Sequence, residues 1–387
     1  RASYNVFRIK QDVLENSSVG MMATGAFKER NFPSFTGGVD WNLRFDEGAY
    51  AIDGYLAGSQ MKAAQNRTFS GSTGRIGIGK LNDEHFLGFT FYDFASNNFR
   101  INDLGYFSQP REHGGYTQIT YKQDKAASPV RRYAISIQTD YRWNWDGINT
   151  VNELQLEPSW EFRNFWLATL NYTRLLPAHD DRNRGIIGLY HRPSGNRISG
   201  TLQTDSRKPA VISARLFYED NKRGLGFFMS ALNVTLRPAT WIELTPGFTW
   251  AKTRNEEAWV YPAYIYDPAI QPDWFNLFGN RDIDQYDISL RGIFTFTRTL
   301  SVQFFTQLLL AKGQYSNFKY LVNRNTLAPY DYPNYAGYYN PDFNEKTINA
   351  NFVLRWEYLP GSTFYLVWTQ ARYGDNGMFN RSFGQNF

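Results

Sequence analysis

The sequence predicts an all-β fold, a transmembrane antiparallel up-and-down β-barrel of about eighteen strands. Three observations predict it. Apolar and polar residues alternate with period two from end to end. Very short connections alternate with longer polar ones. No apolar run approaches the roughly 18 residues that a membrane-spanning helix needs, so any membrane residence must use strands.

The alternation is plainest in "FTGGVDWNLRF", where Phe35, Gly37, Val39, Trp41, Leu43 and Phe45 fall on one face and Thr36, Gly38, Asp40, Asn42 and Arg44 on the other. Tyr50, Ile52 and Leu56 repeat it against Ala51 and Asp53. Next, Tyr133, Ile135, Ile137, Tyr141 and Trp143 alternate with Ala134, Ser136, Gln138, Asp140 and Arg142. Leu154, Leu156, Trp160 and Phe162 face away from Glu153, Gln155, Glu157 and Glu161. Trp166, Leu170 and Tyr172 then oppose Thr169, Asn171 and Thr173. Late in the chain the pattern returns at Tyr286, Ile288, Leu290, Phe294 and Phe296, and at Ile348, Phe352, Leu354, Trp356 and Tyr358. "GSTGRIGIGK" looks like a phosphate loop, but its Gly and Ile alternate and no helix follows, so a glycine-rich strand is expected.

Short turns are expected at 46–48, 82–84, 163–164, 239–240, 298 and 360–361, and the longest loops at about 253–284 and 313–346, on the extracellular side. Roughly 21 residues per strand plus connection suits spanning strands of about 9 to 11 residues. Tryptophans add position. Trp160, Trp166, Trp241 and Trp356 lie beside short turns and would mark the periplasmic girdle; Trp143 and Trp250 would mark the outer one. Counting strands from the short turns puts both chain ends on the long-loop side. The whole of 1–387 is therefore expected to be one barrel with strands missing before Arg1 and after about Tyr373.

Composition agrees. The 387 residues are 18% aromatic, yet mean hydropathy is −0.51. That combination fits a surface divided residue by residue between apolar and polar. The absence of cysteine excludes disulfides and thiolate metal sites. The net charge of +5 is dispersed over both signs, with no basic block to track nucleic acid.

Several stretches carry a resemblance. "SYNVFRIKQDVLENSSVGMMATG" (3–25), "NNFRINDLGYFSQP" (97–110), "SGTLQTDSRKP" and "LNVTLRPATWIELTPGFTW" resemble the barrel portion of a family of bacterial outer-membrane proteins. In that family a carbohydrate-binding family 9-like domain precedes a domain of unknown function that forms the barrel. The resemblance implies an outer-membrane location and a barrel, and it supplies no catalytic residue. Two departures stand out: the family 9-like domain and the first barrel strands are absent, and Gly105-Tyr106-Phe107-Ser108 lacks the paired arginines expected there.

No catalytic residue, metal or cofactor is expected. His85, His113, His179 and His191 lack metal-ligand spacing, and no serine sits in a nucleophile elbow. His179-Asp180-Asp181-Arg182 offers hydrolytic or calcium chemistry, against the commoner reading of a solvated loop cluster.

The polar face is the candidate site. Arg44, Arg132, Asp140, Arg142, Glu153, Glu157, Glu161, Arg215, Arg237, Asp287, Arg291 and Arg355 would line a lumen among Asn, Gln, Ser and Thr, with Glu219, Glu243 and Glu357 on the same parity. Arg132, Asp140 and Arg142 are expected beside the acidic stripe Glu153, Glu157 and Glu161. A wet pore with a transverse field and a braced or plugged interior both fit this pattern. Aromatic loops, "WVYPAYIYDPAIQPDWFNLF" and "YDYPNYAGYYNPDF", would pack as a rigid lid, or else stack on sugars or grip a partner. The resulting expectation is a channel for small polar solutes, sugars among them. Its partners would be membrane lipid and lipopolysaccharide, and no nucleic acid. A scaffold barrel that docks an envelope protein is the second reading, and an outer-membrane hydrolase the third.

Overall fold

The computed structural model describes residues 1–29, 31–62, 67–101, 111–125, 128–181, 189–265, 273–323, 325–332 and 339–375. The stretch 105–108, which lacks the paired arginines that the resemblance implies, lies outside these residues, as does Arg182. The described residues are strand throughout their regular parts, with no helix. Nineteen strands join one antiparallel sheet, and a further two form a small hairpin. The chain clusters into two compact units: 1–126, 132–158 and 174–179 in the first, the remainder in the second.

The first unit starts with β1 (Ala2–Val13), β2 (Ser17–Lys28), β3 (Asn31–Phe45), β4 (Tyr50–Lys62) and β5 (Thr68–Lys80). It continues through β6 (Phe86–Ala95), β7 (Glu112–Gln123), β8 (Val130–Asn144) and β9 (Asn149–Phe162). From β1 to β8 each strand pairs with the next. Register follows the alternation: Val39 faces Leu56 and Leu43 faces Ile52 on one side, while Asn42 faces Asp53 on the other. One residue of slip would exchange the two faces, which is why the pattern specifies the pairing. The glycine-rich "GSTGRIGIGK" is part of β5, where Ile78 pairs with Ile52.

After β10 (Leu167–Leu175) comes the small hairpin of β11 (Ala178–Asp180) and β12 (Tyr190–Arg192). The second unit then runs through β13 (Gly195–Gln203), β14 (Ala210–Asn221), β15 (Gly226–Ala239), β16 (Ile242–Ile265) and β17 (Asp273–Thr295). It ends with β18 (Leu300–Asn323), β19 (Thr326–Pro329), β20 (Phe343–Leu359) and β21 (Ser362–Asp375). Without the short β11, β12 and β19, eighteen long strands remain, as the sequence count anticipated. Among the described pairings β1 joins β2 and β21 joins β20. The connections after β1, β3, β5, β7, β9, β13, β15, β17 and β20 span six residues at most. At 360–361 the reason is local: the ring of Pro360 fixes its φ and Gly361 takes φ +79°, a left-handed conformation that glycine adopts without strain, so the chain closes Leu359 onto Ser362. The intervening connections range from 29–30 to 96–111, so that side mixes tight turns with long segments.

The segments 253–284 and 313–346 correct the sequence reading, because much of each is paired strand and not loop. β16 and β17 stay paired as far as Ile265 opposite Asp273, and β18 runs to Asn323 before β19 folds back on it. Two register shifts, between Thr253 and Glu256 and between Trp259 and Tyr261, break the alternation that would have revealed a strand. The charges that read as loop are consumed across the ladder, Arg254 on Asp284 at 2.8 Å and Arg281 on Glu256 at 2.7 Å.

Burial is inverted relative to a water-soluble sheet. The large apolar side chains that are fully buried, Leu277, Phe278 and Leu321, belong to this extended part. They pack with Tyr190, Trp259, Ala263, Tyr320 and Leu327 in two adjoining clusters. Along the remaining strands the aliphatic face is open: Ile78 is 55% exposed, Ile119 58%, Ile137 52% and Leu216 56%. Within the first unit such residues are neighbours on the ladder, Ile119 opposite Ile137 and Val39 opposite Leu56, so the exposure there forms a continuous surface.

Candidate functional site

The polar face of the first unit gathers charge around two recesses. Arg8 on β1 forms a bidentate pair with Asp40 on β3, and Arg75 on β5 reaches Asp53 on β4 at 3.8 Å while lying 3.9 Å from the centre of the Phe91 ring. Asp40, Asn42, Asp53, Tyr55 and Arg75 line a cavity of about 740 Å³. A second, of about 360 Å³, is lined by Tyr55, Thr73, Asp93, Glu112, Asp140 and Arg142. Here Arg142 sits 2.7 Å from Asp93, 3.0 Å from Asp140 and 3.7 Å from Glu112. Three carboxylates around one guanidinium leave this recess with an excess of negative charge.

The expected acidic stripe is only partly assembled. The charges of Glu153 and Glu157 act on Asp140 and Tyr116 and so belong to the same wall. Glu161, only 7% exposed, pairs instead with Arg131 at 2.5 Å. Arg132 acts on Asp124, whose carboxyl Lys122 holds below the usual range from 2.8 Å. Arg44 donates from Nε to Asn42 Oδ1, and its backbone amide donates to Ser17 Oγ. Asp93 and Glu112 were missed in the sequence. Asp93 is embedded in the aromatic run "FTFYDFA" and Glu112 opens β7 after a long connection; only the cross-strand register reveals that they meet Arg142.

In the second unit the polar-face charges are bound in local contacts. Arg197 meets Glu219 at 2.9 Å, Arg237 meets Glu243 at 2.7 Å and Arg355 meets Glu357 at 3.2 Å. Asp287 accepts from Gln307 Nε2, while Arg215 and Arg291 lie near the rings of Phe217 and Phe305. The wall there is polar but close to neutral.

Five of the six tryptophans expected at the interfaces, Trp250 excepted, sit at or beside strand ends. Trp241 (45% exposed) lies against Phe294 and Phe296, and Trp356 (48% exposed) against Tyr358, both beside short turns. Trp160 lies two residues before the end of β9, and Trp166, which borders β10, closes that turn by accepting from Phe162 N–H. At the other end Trp143 stacks on His113 and Tyr141, whereas Trp250, packed on Phe228, lies inside β16, which runs on to Ile265 and so corrects the expectation of a strand-end position.

Several short connections are fixed by carboxylates. Asp83 pairs with Lys80 and accepts from the amides of His85 and Phe86, which together hold its carboxyl far below the usual range. Asp205 is held at about 2, first by the side chain of Arg207 and also by its amide, and Arg207 lies 3.5 Å from the centre of the Phe165 ring.

His85 contacts the Lys122 carbonyl and His179 lies in β11. Among the described residues no group of three or more His, Asp or Glu is placed to hold a metal ion, and no helix is long and apolar enough to cross a membrane.

No curated protein sequence matches the chain. Among solved structures it is similar to the outer membrane transporter YddB from Escherichia coli, with a TM-score of 0.48 and 9% identity over 96% of this chain and 68% of that one. The family model DUF5916, a domain of unknown function, matches residues 1–387, and the chain belongs to that family.

Proposed function

We propose that the strands form the wall of an outer-membrane β-barrel whose polar face lines a water-filled path for small polar solutes. The observation that carries this reading is the exposed aliphatic face of each unit, Ile78, Ile119 and Ile137 in the first and Leu216 in the second, backed by a charged opposite face. In water such a surface would be unfavourable by about 25 cal/mol per Å² of apolar area. In lipid it is solvated, and only strands closed into a barrel satisfy every backbone group there. The tryptophans then form two girdles that engage lipid and lipopolysaccharide headgroups.

Passage is non-covalent. Paired charges orient dipolar solutes across the lumen, and the near-neutral wall of the second unit keeps selectivity weak. Planar-bilayer recording of the refolded protein tests this: steady conductance with weak ion preference supports it, and a silent protein refutes it. A second reading, a barrel that docks an envelope partner, is favoured by the exposed aromatics Tyr264 (57%), Trp274 (48%) and Tyr339 (62%) on the extended part. Sugars stacking on those rings would fit the channel reading equally.

A further inference from the structure

We propose that residues 96–101, which follow β6, form a docked shelf on the polar face of β4 and β5 that narrows the lumen and sets the charge at its mouth. This rests on the channel reading. The chain leaves β6 at Ala95, turns back, and crosses β5 to reach β4. Ser96 N–H donates to the Ser72 carbonyl at 2.8 Å and Ser72 N–H returns a bond to Ser96 Oγ at 2.8 Å. Arg100 N–H then donates to Ser59 Oγ on β4, also at 2.8 Å. Between these points the backbone of Asn98 and Phe99 lies so close to Gly71 that a Cβ at that position would collide with it. Gly71 is thus a glycine because another segment presses on the sheet there, not because of its own conformation.

The side chains fit a fixed position. Phe99 is only 3% exposed although it rests on the polar face, which identifies it as an anchor. Arg100 is exposed, its guanidinium 4.2 Å from the centre of the Phe69 ring on β5. Gly71 is three residues into β5, roughly 10 Å from its start at about 3.3 Å per residue. That places the shelf at the end opposite the short turns. Thr73, the next residue on that face, lines the recess in which Asp93, Glu112 and Asp140 surround Arg142. A solute entering from this end passes the Arg100 cation first and the acidic recess next. Two opposite charges in series favour solutes that carry both signs or a strong dipole over simple ions.

The chain has no cysteine, so a single thiol reports docking cleanly. Ser59 is 6% exposed under the shelf, and Ser59→Cys should react slowly with a membrane-impermeant thiol reagent in vesicles. Adding Gly71→Val should lift the shelf and raise that rate tenfold or more. Gly58→Val, whose Cβ meets only the Gly71 carbonyl at 3.7 Å, should leave it unchanged. In planar bilayers Gly71→Val should raise single-channel conductance at least twofold, and Arg100→Gln should shift the reversal potential towards cations. Equal labelling with and without Gly71→Val overturns the shelf. Conductance and ion preference that ignore both substitutions in a conducting protein overturn its role at the mouth. Slow labelling released by Gly71→Val in a protein that never conducts overturns the channel and the narrowing together, and leaves the docked segment standing.

Discussion

Leu290→Arg should destabilise the protein far more than Ser289→Arg, although the two positions are adjacent on β17. Leu290 lies on the apolar face, opposite Pro246 and Thr306 and 39% exposed. On the proposed membrane reading its depth follows from the aromatics taken as girdles. Four residues towards the short turn lies Phe294, packed on Trp241, and four residues the other way lies Tyr286, directly opposite Trp250. Eight residues at about 3.3 Å each, tilted by about 40°, separate the girdles by roughly 20 Å, close to the apolar band of about 25 Å. Leu290 is midway. A guanidinium there costs about 2 to 4 kcal/mol. With an m-value of about 2 kcal/mol per M, a 3 kcal/mol loss moves the urea midpoint by about 1.5 M. Ser289 faces the other way, opposite Gly247 and Gln307, with Asp287 two residues along its own strand as a partner for the new charge. Its replacement should cost less than about 1 kcal/mol. Refolding titrations into lipid vesicles measure both. Equal losses would mean that the exposed aliphatic face does not meet lipid, and the membrane assignment would fail with it.

The Asp205 carboxyl, held at about 2 by Arg207, lies below its unfolded value of about 4, so its contribution is complete above pH 4 and is lost as pH falls towards 2. Denaturation midpoints should decline over that window in the wild type and less steeply in Asp205→Asn; parallel curves would count against the Asp205–Arg207 pair. Glu153→Gln with Glu157→Gln should shift the reversal potential towards anions, an effect that fades once salt shortens the Debye length below about 8 Å; no shift at low salt would remove those residues from the path. Glu161→Gln should leave ion preference unchanged and lower stability, because Glu161 is bound to Arg131. In the extended part Glu257 holds both Arg223 at 2.6 Å and Lys319 at 3.4 Å, so Glu257→Gln should open that region locally by about 1 to 3 kcal/mol, read as faster amide exchange in β18 with the midpoint of the whole protein unmoved.

What the sequence made legible was whatever obeys a period of two. The eighteen long strands and their short turns follow from residues such as Val39, Leu56, Ile119 and Ile137, whose face assignment depends only on their own strand. Legibility ended where a strand breaks its own rhythm. The bulge around Asn255, which takes φ +54°, shifts parity, so "RNEEAWVYPAYI" read as loop although it continues β16. The site failed differently. Arg142 was identified as a polar-face residue, but its partners Asp93 and Glu112 come from other strands of the sheet, and a one-dimensional pattern gives parity without register. The stripe of Glu153, Glu157 and Glu161 shows the converse error, since equal spacing on one strand suggested one role, whereas Glu161 lies near the strand end and turns to Arg131. Charge on a β-wall is therefore assigned by its cross-strand neighbours. On the proposed channel reading the residues that would decide selectivity are those whose neighbours leave charge in excess, and in the first unit that condition singles out the recess around Arg142.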